Sequence, residues 1–171
     1  CESTYGGRFH EDFDMSEAKV VEVINRAIER KGKIIVPAFS LGRTQELVYL
    51  LHTIFEKGVV PLIPVYVDSP LSFNATAVFR RHTECYDLET SAHILRNEDP
   101  LGFNKLTYIT DVEESKRLND REGPMMIISA SGMAESGRIL HHLANNIQNP
   151  KNIIMMTKYC AEHTLSKRII E

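Results

Sequence analysis

Hydrophobic and polar positions along the chain follow two periods, one typical of helices and one typical of buried strands. From Asp14 to Gly32 the apolar residues return at helical spacing, which predicts a helix with one apolar face and Gly32 as its C-terminal cap. The run Lys33–Pro37 is short, apolar and rich in branched side chains, as is typical of a buried strand. Residues 42–57 return to the helical period, and Gly58 is predicted to end that helix.

The same alternation continues to the end of the chain. Further strands are predicted at 63–68, 106–110, 125–129 and 152–157, and further helices at 70–83, 112–121, 135–148 and from 164 onward. Residues 84–104 are the least regular part and are expected to be helical only in places. Buried strands separated by helices need parallel pairing with crossover connections. The pattern therefore predicts one α/β domain, a doubly wound, mostly parallel sheet of about five strands with helices on both faces.

Composition excludes several classes of protein. The chain has 171 residues, about the length of one domain, and its 43% hydrophobic and 25% charged residues exclude disorder and fibrous structure. No apolar run approaches the roughly 18 residues of a membrane span. The polar, acidic first residues are not those of a signal peptide. We therefore expect no membrane partner.

Cysteine content and charge indicate the compartment and the kind of partner. The three cysteines are widely spaced and form no Cys-x-x-Cys pair, so neither a disulfide framework nor a thiolate zinc site is expected. A reducing, cytoplasmic location follows. The net charge of −3 is evenly spread, whereas a domain that coats nucleic acid through bulk charge is usually strongly basic. Any contact with nucleic acid must depend on a few local groups.

The residues that follow each predicted strand are the candidates for a site, because ligands of open parallel sheets bind beyond the carboxyl ends of the strands. Small, hydroxylated and cationic residues collect there, and helix N-termini at such an edge suit anions. Arg43 and Arg138 could each hold a phosphate through two hydrogen bonds. Both are predicted in the first turn of a helix, where a cation opposes the helix dipole, and this unfavourable placement favours a functional role.

Each candidate also has an ordinary structural interpretation. Serines and glycines at these places can simply form turns and caps. The helix histidines are expected to be structural; they are His52, His82, His141 and His142. The chain has no Gly-rich nucleotide fingerprint, phosphate-binding P-loop, nucleophile elbow or zinc-binding histidine motif. We therefore predict no metal site within this chain.

Several strings, taken together, resemble the β-CASP domain of metallo-β-lactamase-fold nucleases. They are ESTYG at 2–6 with Arg8 and His10, VPAFSLGRTQEL at 36–47, VYVDSP at 65–70, SASGM at 129–133 with SGR at 136–138, and YCAEHTL at 159–165. They occur in the family's order and cover nearly the whole chain. The family includes the endonuclease of eukaryotic pre-mRNA 3′-end cleavage, its archaeal and bacterial relatives and, more distantly, RNase J.

The resemblance implies that residues 1–171 are a β-CASP domain excised from a larger metallo-β-lactamase-fold protein whose zinc-binding flanks are absent. Such a parent holds two zinc ions and a bridging hydroxide that attacks the phosphodiester, and RNA passes between the two domains. The implied function is the substrate-gripping cap domain of a zinc-dependent RNA-processing nuclease. Its ligand would be the backbone of single-stranded RNA, held together with the metallo-β-lactamase domain. The domain alone is expected to be inactive and to hold no cofactor.

The resemblance also implies site residues. Glu2 matches the carboxylate of the family's acidic motif, and Arg168 stands at the position of a family histidine. Arg168 could pair with Glu2 and neutralise a phosphate but is too basic for a general acid, and His163, where relatives commonly have Gly, is a possible substitute. The residues expected to bind RNA are Arg8, His10, Arg43, Ser129, Ser131, Gly132, Arg138, Thr164 and Lys167.

Two other interpretations remain open. A doubly wound domain of this kind can bind a nucleotide or sugar phosphate, and would then have a closed pocket that gains nothing from longer strands. A glycine fingerprint for that role is lacking. The chain can also belong to a catalytically silent subunit of an RNA-processing complex, which the missing histidine at position 168 favours.

Overall fold

The computed structural model describes residues 1, 3, 6–7, 13–157 and 159–171. Helices and strands alternate through this part of the chain. In order they are α1 (Phe13–Arg30), β1 (Lys33–Pro37), α2 (Arg43–Glu56), β2 (Val65–Asp68), α3 (Pro70–Arg81), a 3₁₀ turn (Thr83–Cys85), α4 (Leu88–Leu95), β3 (Leu106–Ile109), α5 (Val112–Asp120), β4 (Met125–Ser129), α6 (Ile139–Asn146), β5 (Ile153–Ile154) and α7 (Leu165–Ile170).

The five strands form one sheet in the order β3-β2-β4-β1-β5, and every neighbouring pair is parallel. The prediction of a parallel α/β sheet of about five strands is confirmed. From β2 the chain continues outward to β3, whereas from β4 it continues in the opposite direction to β5. The switch in direction between β2 and β4 is the place where open α/β sheets leave a crevice for ligands.

Helices cover both faces of the sheet, as predicted, because the strand side chains alternate between two hydrophobic clusters. On one face Val36 and Ile128 pack with apolar residues of α1 and α2. On the other face Ile35 and Ile127 pack with residues of α5 and α6. The central strands β1 and β4 are buried along their whole length, so the core lies on either side of them.

The end of α1 differs from the prediction. Lys31, not Gly32, takes the left-handed conformation there, with φ of 53°. Gly32 is needed for a different reason, since a Cβ at this position would lie 1.9 Å from the carbonyl oxygen of Lys151. The glycine allows the segment before β5 to pass directly over the start of β1.

Two elements near the C-terminus are shorter than predicted. Helix α6 begins at Ile139 instead of residue 135, because residues 130–138 form a loop that turns back on β4. The N–H of Ile139 donates to the carbonyl of Ala130 at 3.1 Å, and Gly137 makes the turn with φ of 83°. Strand β5 comprises only Ile153–Ile154, which pair with β1 at the edge of the sheet. None of the helices in the described ranges is both long and apolar enough to cross a bilayer.

Candidate functional site

The carboxyl ends of the strands meet at one edge of the sheet, and the loops that follow the strands are joined to each other by hydrogen bonds. The N–H of Ala38, after β1, donates to the carbonyl of Ser129 at 3.0 Å. The Ser129 hydroxyl donates to the carbonyl of Asp68 at 3.0 Å, and the hydroxyls of Ser40 and Ser69 lie 3.1 Å apart. We call this edge the rim, which comprises residues 38–43, 68–70, 110–111, 129–138 and 161–168.

Beneath the rim, at the switch point, a buried carboxylate holds several elements together. Asp68 ends β2 and is fully buried. One carboxylate oxygen accepts a hydrogen bond from Nη1 of Arg138 at 2.7 Å, and the other accepts from Nε2 of His142 at 2.7 Å and from the hydroxyl of Ser115. Nη2 of Arg138 donates in turn to the carbonyl of Thr110 at 2.7 Å. The network thus ties β2, the end of β3, α5 and α6 into one unit.

The Asp68 network keeps its carboxylate ionised. Burial alone disfavours the charged form and raises the pKa, but the hydrogen bonds from His142, Ser115 and Arg138 together outweigh burial. The pKa of Asp68 is therefore held below its ordinary value. A buried carboxylate that stays charged needs all of these partners, because each unpaired charge in the core is costly.

A chain of asparagines extends the network to the amino end of β1 and fixes the direction of its hydrogen bonds. The backbone N–H of Lys33 can only donate, so the oxygen that it meets at 2.8 Å is Oδ1 of Asn152. Nδ2 of Asn152 then donates to the main-chain carbonyl of Asn146 at 3.0 Å and to its Oδ1 at 3.3 Å. Nδ2 of Asn146 in turn donates to Oδ1 of Asn119 at 2.9 Å.

His142 joins the asparagine chain to the Asp68 carboxylate. Its Nδ1 lies 3.0 Å from Oδ1 of Asn119, and its Nε2 lies 2.7 Å from the carboxylate of Asp68. Together with Arg138, it holds the buried carboxylate in place beneath the rim.

Replacing Ser115 by Ala should destabilise the protein at neutral pH, and this penalty should shrink in acid. Since the folded pKa of Asp68 lies below the ordinary value, the unfolded chain binds more protons. The stabilising effect of its bonds is present above about pH 4, the ordinary range of Asp, and is lost as pH falls through the folded pKa. Losing a hydrogen bond to a charged group should cost about 1.5–3 kcal/mol at pH 7 by urea unfolding, and less in acid once the pH has fallen through the folded pKa of Asp68.

Ser72→Ala is the matched control for this experiment. Ser72 is also a buried helix serine, but its hydroxyl has no hydrogen-bond partner within the described residues. Its removal should change stability little at either pH. A Ser115→Ala penalty that stays constant as the pH is lowered until Asp68 is protonated would contradict the role of the ionised Asp68.

Two residues predicted to bind RNA are instead used inside the rim. Ser129 is 1% exposed, and its hydroxyl donates a hydrogen bond to the carbonyl of Asp68 at the end of β2. Arg138 precedes α6 rather than lying in its first turn, and its side chain is 20% exposed with both Nη groups bonded within the protein. The predicted place of Arg138 in the first turn of a helix was therefore wrong, and its charge is compensated by Asp68. Both residues shape the rim from below.

The bend at Ser131 and Gly132 lies on the rim and connects it to α7. The Ser131 hydroxyl accepts from the N–H of Glu135 at 3.3 Å and from that of Ser136 at 3.4 Å. Gly132 is buried, and its carbonyl accepts from the hydroxyl of Ser166 at 3.2 Å. The bend thus seats the N-terminal turn of α7 beside the end of β4.

Three of the predicted cations lie at the rim. Arg43 opens α2 and pairs only locally within the described residues, with Glu46 at 2.8 Å, and both side chains are exposed. On α7, Arg168 is exposed and has no ion-pair partner in the described part of the chain. Lys167 lies 3.4 Å from Glu171, and this carboxylate raises the pKa of the lysine. Arg43 and Arg168 are therefore the cations most open to a ligand.

Of the remaining predicted site residues, two belong to the part of the chain that the structure describes and three do not. Thr164 is the N-cap of α7, since its hydroxyl accepts from the N–H of Lys167 at 3.3 Å. His163 is exposed and has φ of 66°, a conformation that favours glycine. That backbone explains why a glycine is expected there from the family resemblance. Glu2, Arg8 and His10 lie outside the described residues.

Sequence reasoning missed the residues at the centre of the network. Asp68 was visible as a charged residue directly after a strand, which is a usable signal. His142 was assigned a structural role, and its bond to Asp68 agrees with that interpretation. Glu135, whose carboxylate accepts from the N–H of Leu165 at the start of α7, gave no signal in the sequence.

The described rim residues do not fit the pair of zinc ions implied by the family resemblance. Its buried carboxylate, Asp68, has both oxygens occupied by Arg138, His142 and Ser115. The groups around it are a hydroxyl, carbonyls, a guanidinium and the His142 ring, whose two nitrogens both already face hydrogen-bond partners, whereas zinc needs a free histidine nitrogen, thiolate or carboxylate. The rim therefore offers contacts for an anion and no cage for zinc.

Comparison with known proteins gives consistent matches. The Beta-Casp (β-CASP) domain matches residues 44–169. The chain is 32% identical over 170 residues to Ribonuclease TTHA0252 of Thermus thermophilus, covering 99% of this chain and 39% of that protein. It is 31% identical over 173 residues to Transcription termination factor FttA of Methanothermobacter thermautotrophicus, covering 98% and 27%. It is 26% identical over 170 residues to Cleavage and polyadenylation specificity factor 73 of Drosophila melanogaster, covering 99% and 24%. The chain thus spans between about a quarter and two fifths of these relatives.

Proposed function

The chain belongs to the β-CASP domain family, and from this premise we propose that it is the RNA-gripping cap domain of a metal-dependent RNA-processing nuclease. Relatives named as a ribonuclease and as a cleavage and polyadenylation specificity factor support this proposal. Hydrolysis of the phosphodiester, and the two zinc ions expected for it, belong in the proposal to parts of the parent outside this chain. A cytoplasmic location is also proposed, supported by three free cysteines.

The observation that carries the proposal is the placement of exposed cations on the rim, above the buried Asp68–Arg138 ion pair. The side chain of Arg43 is 41% exposed, and its partner Glu46 is 64% exposed. An exposed pair of this kind contributes only about 0–1 kcal/mol, so a phosphate can take the place of the carboxylate at little cost.

The proposed contacts are to the sugar–phosphate backbone. Arginine and backbone N–H groups at the rim recognise phosphate oxygens, which are the same for every nucleotide. We therefore expect weak sequence preference and binding that weakens steeply with salt, because each neutralised phosphate releases a counterion.

Replacing Arg43 by Ala in the parent protein should weaken binding to single-stranded RNA about 3- to 10-fold, as expected for one charge-assisted contact. The slope of log affinity against log salt should become shallower by about 0.7, the value for one phosphate of a single strand. Both quantities can be measured by fluorescence anisotropy over a salt series. Metal content and the unfolding midpoint should stay unchanged.

The matched control is Arg26→Ala. Arg26 lies on α1, is 46% exposed, and pairs with Glu22 one turn away, much as Arg43 pairs with Glu46. Equal losses for the two variants would show a general charge effect and refute the rim as the site. Competition by a mononucleotide as strong as that by a long strand would favour the nucleotide-binding alternative. Normal RNA binding by a parent that never cleaves would favour the silent subunit.

A further inference from the structure

A second cluster of functional groups lies at the opposite edge of the sheet from the rim. Helix α2 starts at the rim and ends near the amino end of β2, and the cluster is at this far end. Its members come from α2, from α4 and from the loop after α4, and their ligand-type atoms all lie within 4.8 Å of one another: His52, Glu56, His93 and Glu98. Three of them, His52, Glu56 and Glu98, border an open cleft of about 330 Å³.

His52 is held in one tautomer. Its Nδ1 lies 2.8 Å from the carbonyl oxygen of Gly102, and because a carbonyl only accepts, Nδ1 carries the hydrogen. In the neutral ring Nε2 then presents a lone pair, and this atom is buried without a hydrogen-bond partner in the described part of the chain. Buried polar atoms are nearly always partnered, so this nitrogen needs an explanation. A ring that donates one N–H to a carbonyl while the other nitrogen faces a cluster is typical of a metal-binding histidine.

The other three groups complete a set of two nitrogens and two oxygens. Glu56 follows His52 by four residues on the same helix face, and its carboxylate lies 3.8 Å from Nε2 of His52. Nδ1 of His93 lies 2.8 Å from the carboxylate of Glu98, and the two histidine rings meet edge to face at 5.1 Å. Ligands bonded to one tetrahedral zinc at 2.0–2.2 Å are roughly 3.3–3.6 Å apart, so small rotations suffice to reach that geometry.

Arg96 occupies the position that a cation would take. Its Nη2 lies 3.0 Å from both Glu98 and Nδ1 of His93, and 4.0 Å from Glu56. The guanidinium thus neutralises carboxylates that would otherwise repel each other. Because the Arg96 side chain is 54% exposed, it can turn into solvent without loss of core packing.

We propose that His52, Glu56, His93 and Glu98 bind a divalent transition-metal ion of the Zn²⁺ type, and that Arg96 competes with the ion for the same carboxylate. Imidazole nitrogen with carboxylate oxygen suits zinc, whereas Mg²⁺ prefers an all-oxygen shell. The bound ion would clamp α2 to α4 and to the loop that carries Gly102. This site is separate from the rim and does not depend on the proposed nuclease role.

The test is a titration of the 171-residue chain carrying Cys1→Ser and Cys85→Ser, since both of those thiols are exposed and could bind zinc. After treatment with EDTA, Zn²⁺ at a hundredfold excess over its Kd should raise the unfolding midpoint by roughly 5–10 °C, with one ion bound per chain by calorimetry. Mg²⁺ should give no shift. Glu56→Gln and His52→Ala should each weaken zinc binding at least tenfold, since losing even a residue that only orients a ligand typically costs about 10- to 100-fold.

Two further variants sharpen the result. His82→Ala removes an exposed histidine that pairs with Glu84 at 2.8 Å outside the cluster, so it should leave zinc binding unchanged. Arg96→Ala should tighten zinc binding, and an unchanged affinity would refute its part as competitor. The site is refuted if the folded chain binds no zinc, or if Glu56→Gln, a change at a half-exposed side chain that preserves the fold, binds zinc as tightly as the unchanged cluster. The zinc titration involves no RNA, so its outcome does not depend on the proposed RNA-binding role of the rim.

Discussion

Replacing Asp68 by Asn should destabilise the domain by about 3–5 kcal/mol, the usual cost of breaking a buried charge pair from one side. An amide at this position would offer one oxygen where Arg138, His142 and Ser115 now share two charged ones. The NH₂ group of the asparagine would also replace one carboxylate oxygen and face the donors that this oxygen now binds. The largely buried guanidinium of Arg138 would then lack its counter-charge, and the total stability of such domains is only about 5–15 kcal/mol.

Asp99→Asn is the control for that experiment. Asp99 pairs with Arg80 at 2.6 Å, but both side chains are well exposed, so its loss should cost less than about 1 kcal/mol. Urea unfolding followed by circular dichroism measures both variants. If the two substitutions lower the midpoint equally, the Asp68 network is not what holds the switch point together. If Asp68→Asn does not fold at all, the milder Ser115→Ala still reports on the same carboxylate.

The fold was largely predictable because local patterns decide it. Strands β1 and β4 are runs of branched or apolar residues that must be buried on both faces, and both were predicted with their observed bounds. The start of α6 was not predicted correctly, since residues 135–138 were expected to belong to the helix. Their conformation is set by contacts with the distant end of β4, such as that of Ile139 with Ala130.

The location of the candidate site could be predicted from the sequence, but the hydrogen bonds and ion pairs within it could not. The rule that ligands lie beyond the carboxyl ends of strands correctly brought together the loops at Ser40, Ser69 and Ser131. Nothing in the chain near Arg138 indicates that its partner is Asp68, because the pair is formed only by the sheet order. The cluster of His52 with His93 was missed for the same reason, as its ligands come from separate helices with no shared motif.

Gly137→Ala should give the second large effect, in stability and in RNA binding together. Gly137 has φ of 83°, and a Cβ there would lie 2.4 Å from the carbonyl oxygen of Ala130. The atoms that this Cβ would meet belong to the backbone of residues 130 and 131 and cannot turn aside as a flexible side chain could. The loop must therefore move away from the end of β4. We expect a cost of about 3–4 kcal/mol, from about 1–2 for the left-handed conformation and a similar or larger amount for the clash.

The comparison with Gly58→Ala separates the two contributions to that cost. Gly58 also has positive φ, at 66°, but a Cβ there would meet nothing within 4 Å. It should therefore lose only the conformational part, about 1–2 kcal/mol, and leave RNA binding by the parent unchanged. Because Gly137 lies against the peptide that carries the N–H of Ser131, its displacement alters the bend that seats α7 and Arg168. Equal stability losses for the two glycine variants, or full RNA affinity in Gly137→Ala, would mean that the packed loop does not set the geometry of the rim.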